Sequence, residues 1–178
     1  MFRKISKGID MRRFKARLML MLALLKELKI RTDNNIDMVR HSRERLLIRV
    51  KVIEERLGRK YAARFLREAK SYEALEIHLS YVSALLERLI LRLETLTITN
   101  SLVEAAILAS KLIQELKKSV VYGLPQFSVI VDELEKISRD LVEASKNSGY
   151  TPRSDVVSEE ARRILEEAKV VASSREHR

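Results

Sequence analysis

From Met11 to Leu57 the chain contains neither glycine nor proline. A stretch that long, with no residue to free or block the backbone, has one economical solution, the α-helix. Asp10 stands in front of it as an N-cap and Gly58 ends it. About 47 residues at 1.5 Å each make a rod of roughly 70 Å, which needs a partner of similar length to cover its apolar side.

The sequence supplies that partner. Met11, Phe14, Leu18, Met21, Leu25 and Leu28 recur at steps of three and four along the first helix, and Val39, Leu46, Val50, Ile53 and Leu57 continue the seam. After Gly58 the series Phe65, Ala69, Tyr72, Leu75, Leu79, Val82, Leu86, Leu89, Leu93 and Leu96 keeps the same rhythm, that of a coiled coil. Two such helices joined by the short "LGRK" link close as an antiparallel hairpin. Thr32, Asn35 and Ser42 interrupt the first seam, so the helix is expected to bend or fray at "RTDNN".

Farther on, "TLTITNS" (95–101) gathers β-branched and capping residues and marks a candidate hinge before "LVEAAILASKLIQELKKSVV" resumes. "YGLPQ" ends that element, and "FSVIVDELEKISRDLVEAS" forms a shorter amphipathic helix. The expected class is all-α, a long antiparallel helical hairpin with additional shorter C-terminal helices. The expected division is an N-terminal segment 1–10, then a core 11–146 made of the hairpin 11–57/59–121 and a helix 126–146. A linker 147–156 and a terminal helix 157–172 follow, with Ser158 as its N-cap and Ala161, Leu165 and Ala168 as its apolar stripe.

Several function classes fall away. The apolar run Leu18–Leu25 stops at Lys26, short of the roughly 20 residues a membrane span requires. Arg12-Arg13 before it has the look of an export signal, but no small-residue cleavage site follows. Without cysteine there are no disulfides or thiolate metal sites, and a cytoplasmic setting is the default. Three scattered histidines and no phosphate-cradling glycine loop argue against an enzyme and against any cofactor. Asp33, Asp37 and His41 share a helical face, but bundle metal sites use repeated Glu-x-x-His pairs, so this reads as a solvated polar face. Scarce Asn and Gln beside abundant Lys, Arg and Glu is a bias seen in proteins from hot environments.

Charge carries the strongest functional signal. Residues 1–57 hold 16 basic and 7 acidic side chains (+9), whereas residues 123–178 hold 9 and 11 (−2). At the start, helical spacing puts Phe2, Ile5 and Ile9 on one side and Arg3, Lys4 and Lys7 on the other, a short membrane-surface helix that Arg12 and Arg13 would extend; a disordered basic leader is the alternative. Arg45, Arg49 and Arg56 fall within a sector of about 40°, with Arg40, Arg43 and Lys51 nearby. Such a surplus attracts anionic lipid, nucleic acid or the acidic surface of another protomer. A basic coiled-coil protein binding nucleic acid is the alternative function, although no zinc-finger, ribonucleoprotein or helix-turn-helix pattern supports it.

The segment "LGRKYAARFLREAKSYEALEIHLSYVSALLERLILRLETL" (57–96) resembles the start and body of the second core helix of ESCRT-III proteins, and the archaeal cell-division branch, the CdvB type, is nearest. Arg92 to Thr95 ("RLET"), Leu102 to Val121, Leu124-Pro125 and Phe127 to Ser145 follow in that branch's order. The resemblance spans roughly residues 12–146. It implies a cytoplasmic, peripheral membrane protein at the division site that polymerises with itself or with paralogues on anionic lipids. Constriction or scission of membrane necks, in division or in vesicle budding, and remodelling by a CdvC-type AAA ATPase go with it. No proline-rich ATPase-docking motif is present, since the prolines are Pro125 and Pro152. The terminal helix therefore reads as a docking helix, a regulatory fold-back helix, or both.

Overall fold

A computed structural model describes residues 10–149 and 153–175. Among them are five α-helices and no strand: α1 Met11–Leu57, α2 Arg59–Ile98, α3 Leu102–Lys118, α4 Pro125–Asn147 and α5 Ser154–Arg175, with a 3-10 turn at Val120–Gly123 between α3 and α4. This is the all-α hairpin architecture expected from the seams and from the ESCRT-III resemblance.

The Asp10 carboxylate caps α1, accepting from the backbone N–H groups of Arg12 (3.2 Å) and Arg13 (3.3 Å). Gly58 alone separates α1 from α2, with φ +89°, a conformation that side chains with a Cβ rarely adopt. Its N–H donates to the Glu54 carbonyl at 3.0 Å and closes α1. The expected fraying at "RTDNN" is absent: α1 is continuous helix from Met11 to Leu57. The polar residues there are used rather than tolerated: the buried Thr32 hydroxyl donates to the Leu28 carbonyl at 2.7 Å, and the Asp33 carboxylate accepts from Ser83 of α2 at 2.5 Å while pairing with Lys29 at 2.7 Å.

The second arm is where the boundaries differ most. Instead of one element from 59 to 121, α2 ends at Ile98 and the chain reverses through Asn100, at φ +59°, into α3. Thr95, Thr97 and Thr99 turn their hydroxyls onto the carbonyls of Leu91, Leu93 and Thr95, competing with the helical ladder at its end. α3 packs on α2 and α4, and α4 lies antiparallel to α1, tied by Arg17–Asp140 (3.2 Å) and Gln126–Asn35 (3.1 Å). Phe127, Val131, Leu134 and Leu141 of α4 fill the space between them.

The molecule is thick at one end and thin at the other. Phe14 to Ile36 of α1 and Leu79 to Leu96 of α2 share one core with α3, α4 and α5. Between Val39 and Leu79 the buried apolar side chains are Leu46, Val50, Ala62 and Ala69 alone. The hairpin tip is thus an arm with little core of its own. Arg40 (3.0 Å) and Arg43 (3.1 Å) both reach Glu76 across this arm and hold its two helices in register.

Candidate functional site

The surface that distinguishes this chain is the face of α1 turned away from the core. Over the whole helix the buried side chains stay within one stripe at about 100° per residue. The sector of about 100° across from it holds Arg12, Arg13, Arg31, Arg45, Arg49 and Arg56, interleaved with Leu20, Ile30, Met38, Ile48 and Val52. Its one acid is Glu27, paired with Arg31 at 2.5 Å, and the exposed Asp37 and Glu55 stand at its edge. The apolar members are well exposed, Ile30 at 62%, Met38 at 67% and Ile48 at 64%, as is Met19 at the sector's edge. Exposed aliphatic side chains regularly spaced among arginines form an amphipathic surface on a rigid rod, with apolar bulk and positive charge side by side.

The individual expectations divide. Arg12 and Arg13 are exposed on the first turn, Arg13 loosely paired with Asp10 at 3.5 Å. Arg45, Arg49 and Arg56 are exposed as expected; among the described residues Arg49 and Arg56 have no ion pair, and Arg45 touches only the His41 carbonyl at 3.4 Å. Arg40 and Arg43 leave that cluster, because they turn toward α2 and share Glu76, with Asp37 (3.6 Å) and Glu73 (4.0 Å) as their further partners. Phe2, Arg3, Lys4, Ile5, Lys7 and Ile9 lie outside the described residues. The exposed aliphatic set was not singled out, because only the buried seam of α1 was traced and the apolar residues off it were left unassigned. Removing the seam positions from the run Leu18–Leu25 would have left Met19 and Leu20 facing outward. Among the described residues no helix is long and apolar enough to cross a membrane, and no cluster of His, Asp and Glu is arranged to hold a metal.

α5 forms the second feature. It starts at Ser154 rather than 157, so Ser158 lies inside it and is no cap; the Ser158 hydroxyl donates to the Ser154 carbonyl (2.7 Å) and accepts from Lys111 of α3 (2.7 Å). Its buried stripe is Val157, Ala161, Ile164, Ala168 and Ala172, with Leu165 only partly covered, so Ile164 takes the central place expected of Leu165. The helix lies along α2 and α3, not against the strongly basic α1. Its acids meet α2 arginines, Glu160 with Arg92 and Glu167 with Arg88 at 3.6 Å. Tyr81 of α2 lies in the same region, and burial raises its pKa against the opposing pull of Lys169.

A third cluster fixes α3 to α4. Lys117 Nζ donates to Glu135 at 2.6 Å and sits 5.6 Å from the centre of the Tyr122 ring, while the Tyr122 hydroxyl donates to Asp132 at 2.8 Å. The Glu135 hydrogen bond raises the Lys117 pKa, and the same contact lowers that of Glu135.

No family model and no solved structure matches the chain at a significant level. A curated protein does: Cell division protein B1 of Sulfolobus acidocaldarius is 34% identical over 128 residues, which is 70% of this chain and 60% of that protein. The chain thus spans about 60% of the length of the relative it matches. Together with the helical hairpin, this places the chain in the CdvB-type family of archaeal cell-division proteins.

Proposed function

We propose that this protein is a non-enzymatic, filament-forming subunit that acts in archaeal cell division by assembling on anionic membranes and constricting them. The outer face of α1 carries the reading: a cationic and apolar surface roughly 55 Å long, from Leu20 to Arg56, matches what a lipid interface rewards, apolar burial plus attraction to anionic headgroups. The arm supports assembly. It buries four apolar side chains while Tyr61 and Leu66 of α2 stay exposed, an apolar surface that a neighbouring protomer would cover. The relative's name supplies the process, cell division.

In this reading the partners are further copies of the chain or its paralogues, anionic lipids and a CdvC-type AAA ATPase, and the location is the membrane at the division site. α5, through Ala161, Ile164, Leu165 and Ala168, regulates assembly by occupying α2 until membrane or a neighbouring protomer competes for it. Cosedimentation with anionic vesicles run beside a gel shift with duplex DNA near 0.15 M salt tests the proposal, since screening weakens generic attraction. Vesicle binding that survives this salt supports it. Tight, salt-resistant DNA binding without lipid binding would replace it with the nucleic-acid alternative.

A further inference from the structure

Where the shared core ends, one carboxylate stands between two arginines. Glu76 of α2, its side chain only 13% exposed, accepts from Arg40 Nε at 3.0 Å and pairs with Arg43 at 3.1 Å. On one side of it, Ile36 and Leu79 belong to the core that α3, α4 and α5 complete. On the other side the arm runs about 27 Å to Gly58, burying Leu46, Val50, Ala62 and Ala69 and covering Phe65 only in part. Its far end is tied by an exposed pair, Arg59 with Glu54 at 2.9 Å, of the kind that contributes little. Charge works against closure as well. Residues 40–76 hold 11 basic and 6 acidic side chains (+5) on two helices whose axes lie about 10 Å apart, within the reach of unscreened repulsion.

We infer that the arm opens as a unit of its own while the body stays folded, and that Glu76 sets the boundary at which opening stops. Helices take most of their stability from packing, and four buried apolar side chains supply little of it. The surplus of positive charge then favours parting of the two helices. Opening that passed the root would strand Arg40 and Arg43, which share this one carboxylate as their shortest ionic partner. Arg43 Nε is buried without a hydrogen bond among the described residues, and the alternatives Asp37 and Glu73 stand farther off and in solvent. The exposed cations Arg45, Arg49 and Arg56 ride on this arm, so an anionic surface that neutralises them removes the repulsion and selects the closed form. That selection rests on the membrane reading above; the opening does not.

Native-state hydrogen exchange on the full chain reads the opening residue by residue. Corrected for intrinsic rates, amides of Leu46–Arg56 and Ala62–Ser71 are expected to exchange at least about 100-fold faster than those of Leu18–Leu28 and Leu79–Leu93. Glu76→Ala should move the boundary, so that amides of residues 40–43 and 73–77 accelerate at least about 10-fold while the body keeps its rates. Glu76→Gln should do the same in smaller measure, and Glu73→Gln, an exposed control, should change them less than about twofold. Raising salt from about 0.02 M to about 0.5 M should slow the arm at least about threefold and leave the body unchanged. Equal protection in arm and body overturns the opening, and that comparison needs no variant. A boundary that stays in place in both Glu76 variants, or a body that accelerates with the arm, overturns the role of Glu76. Arm exchange that salt leaves unchanged or speeds overturns the repulsion. Vesicle-bound protein should show the arm slowed at least about threefold, and unchanged arm rates there overturn the selection. If no protein pellets with anionic vesicles, the membrane reading and the selection fail together, while the rates in solution still judge the opening.

Discussion

Ile164→Ala probes how α5 is held. The stripe that meets α2 and α3 is mostly alanine, and Ile164, 7% exposed, is its largest fully engaged side chain. Removing three carbons forfeits about 2.4 kcal/mol of burial at about 0.8 per methylene, and alanine's better helix propensity returns about 0.4, leaving about 2 kcal/mol against docking. That is roughly a 30-fold larger undocked population. Native-state hydrogen exchange reads it directly: amides of residues 161–172 should exchange about 30-fold faster, while those of Phe14–Leu28 and Leu79–Leu96 keep their rates. Glu167→Gln, which removes the exposed pair with Arg88 at 3.6 Å, should speed the same amides less than about 5-fold. If α1 and α5 amides accelerate together, α5 is no separate unit. If Glu167→Gln exceeds Ile164→Ala, charge and not apolar burial holds the helix.

Reversing two charges of the outer α1 face, Arg45→Glu with Arg49→Glu, should weaken anionic-vesicle binding by more than 10-fold at about 1 kcal/mol per lost positive charge, and should leave the melting temperature unchanged because both side chains are exposed and unpaired. Gly58→Ala places a Cβ at φ +89° and should destabilise the protein by about 1 kcal/mol, read as a lower thermal midpoint without loss of helix at room temperature. The Lys117–Glu135 contact gives a signed pH dependence. Glu135 has a lowered pKa in the fold, so its contribution is present above the ordinary glutamate value and is lost as pH falls through the lowered one; Lys117, raised, loses its share only as pH rises through its own. Glu135→Gln should remove part of the acid-side loss in a melting-temperature profile and leave the neutral range flat.

The long seams were legible because a coiled coil writes its period directly: from Leu79 to Leu96 every core position named from spacing is buried, and the wider packing against α3 and α5 buries Ala84, Leu85 and Ile90 with them. What spacing could not convey was how polar residues near the seam would be used. Thr32 and Asp33 looked like a weak point, but a hydroxyl bonding back to its own helix and a serine reaching across from α2 make them part of the packing. The threonines at 95–99 carried the opposite meaning, and their back-bonding coincides with a real chain reversal. At the candidate surface, Arg45, Arg49 and Arg56 could be placed from the helical wheel, but the pairing of Arg40 and Arg43 with Glu76 depends on which α2 turn lies opposite, and that is a tertiary fact. Leu165 and Ile164 are neighbours in sequence, and only the rotation of α5 on α2 decides which one is buried.

Electron microscopy of liposomes incubated with the full chain and with the chain truncated after Asn147 asks whether the protein assembles on membranes through the outer face of α1 under restraint by α5. Regular filaments or tubes are expected on anionic liposomes and none on neutral ones, with the truncated chain assembling at a lower concentration than the full chain. Protein that coats anionic liposomes without forming any ordered polymer, or that leaves them bare in both forms, would contradict it.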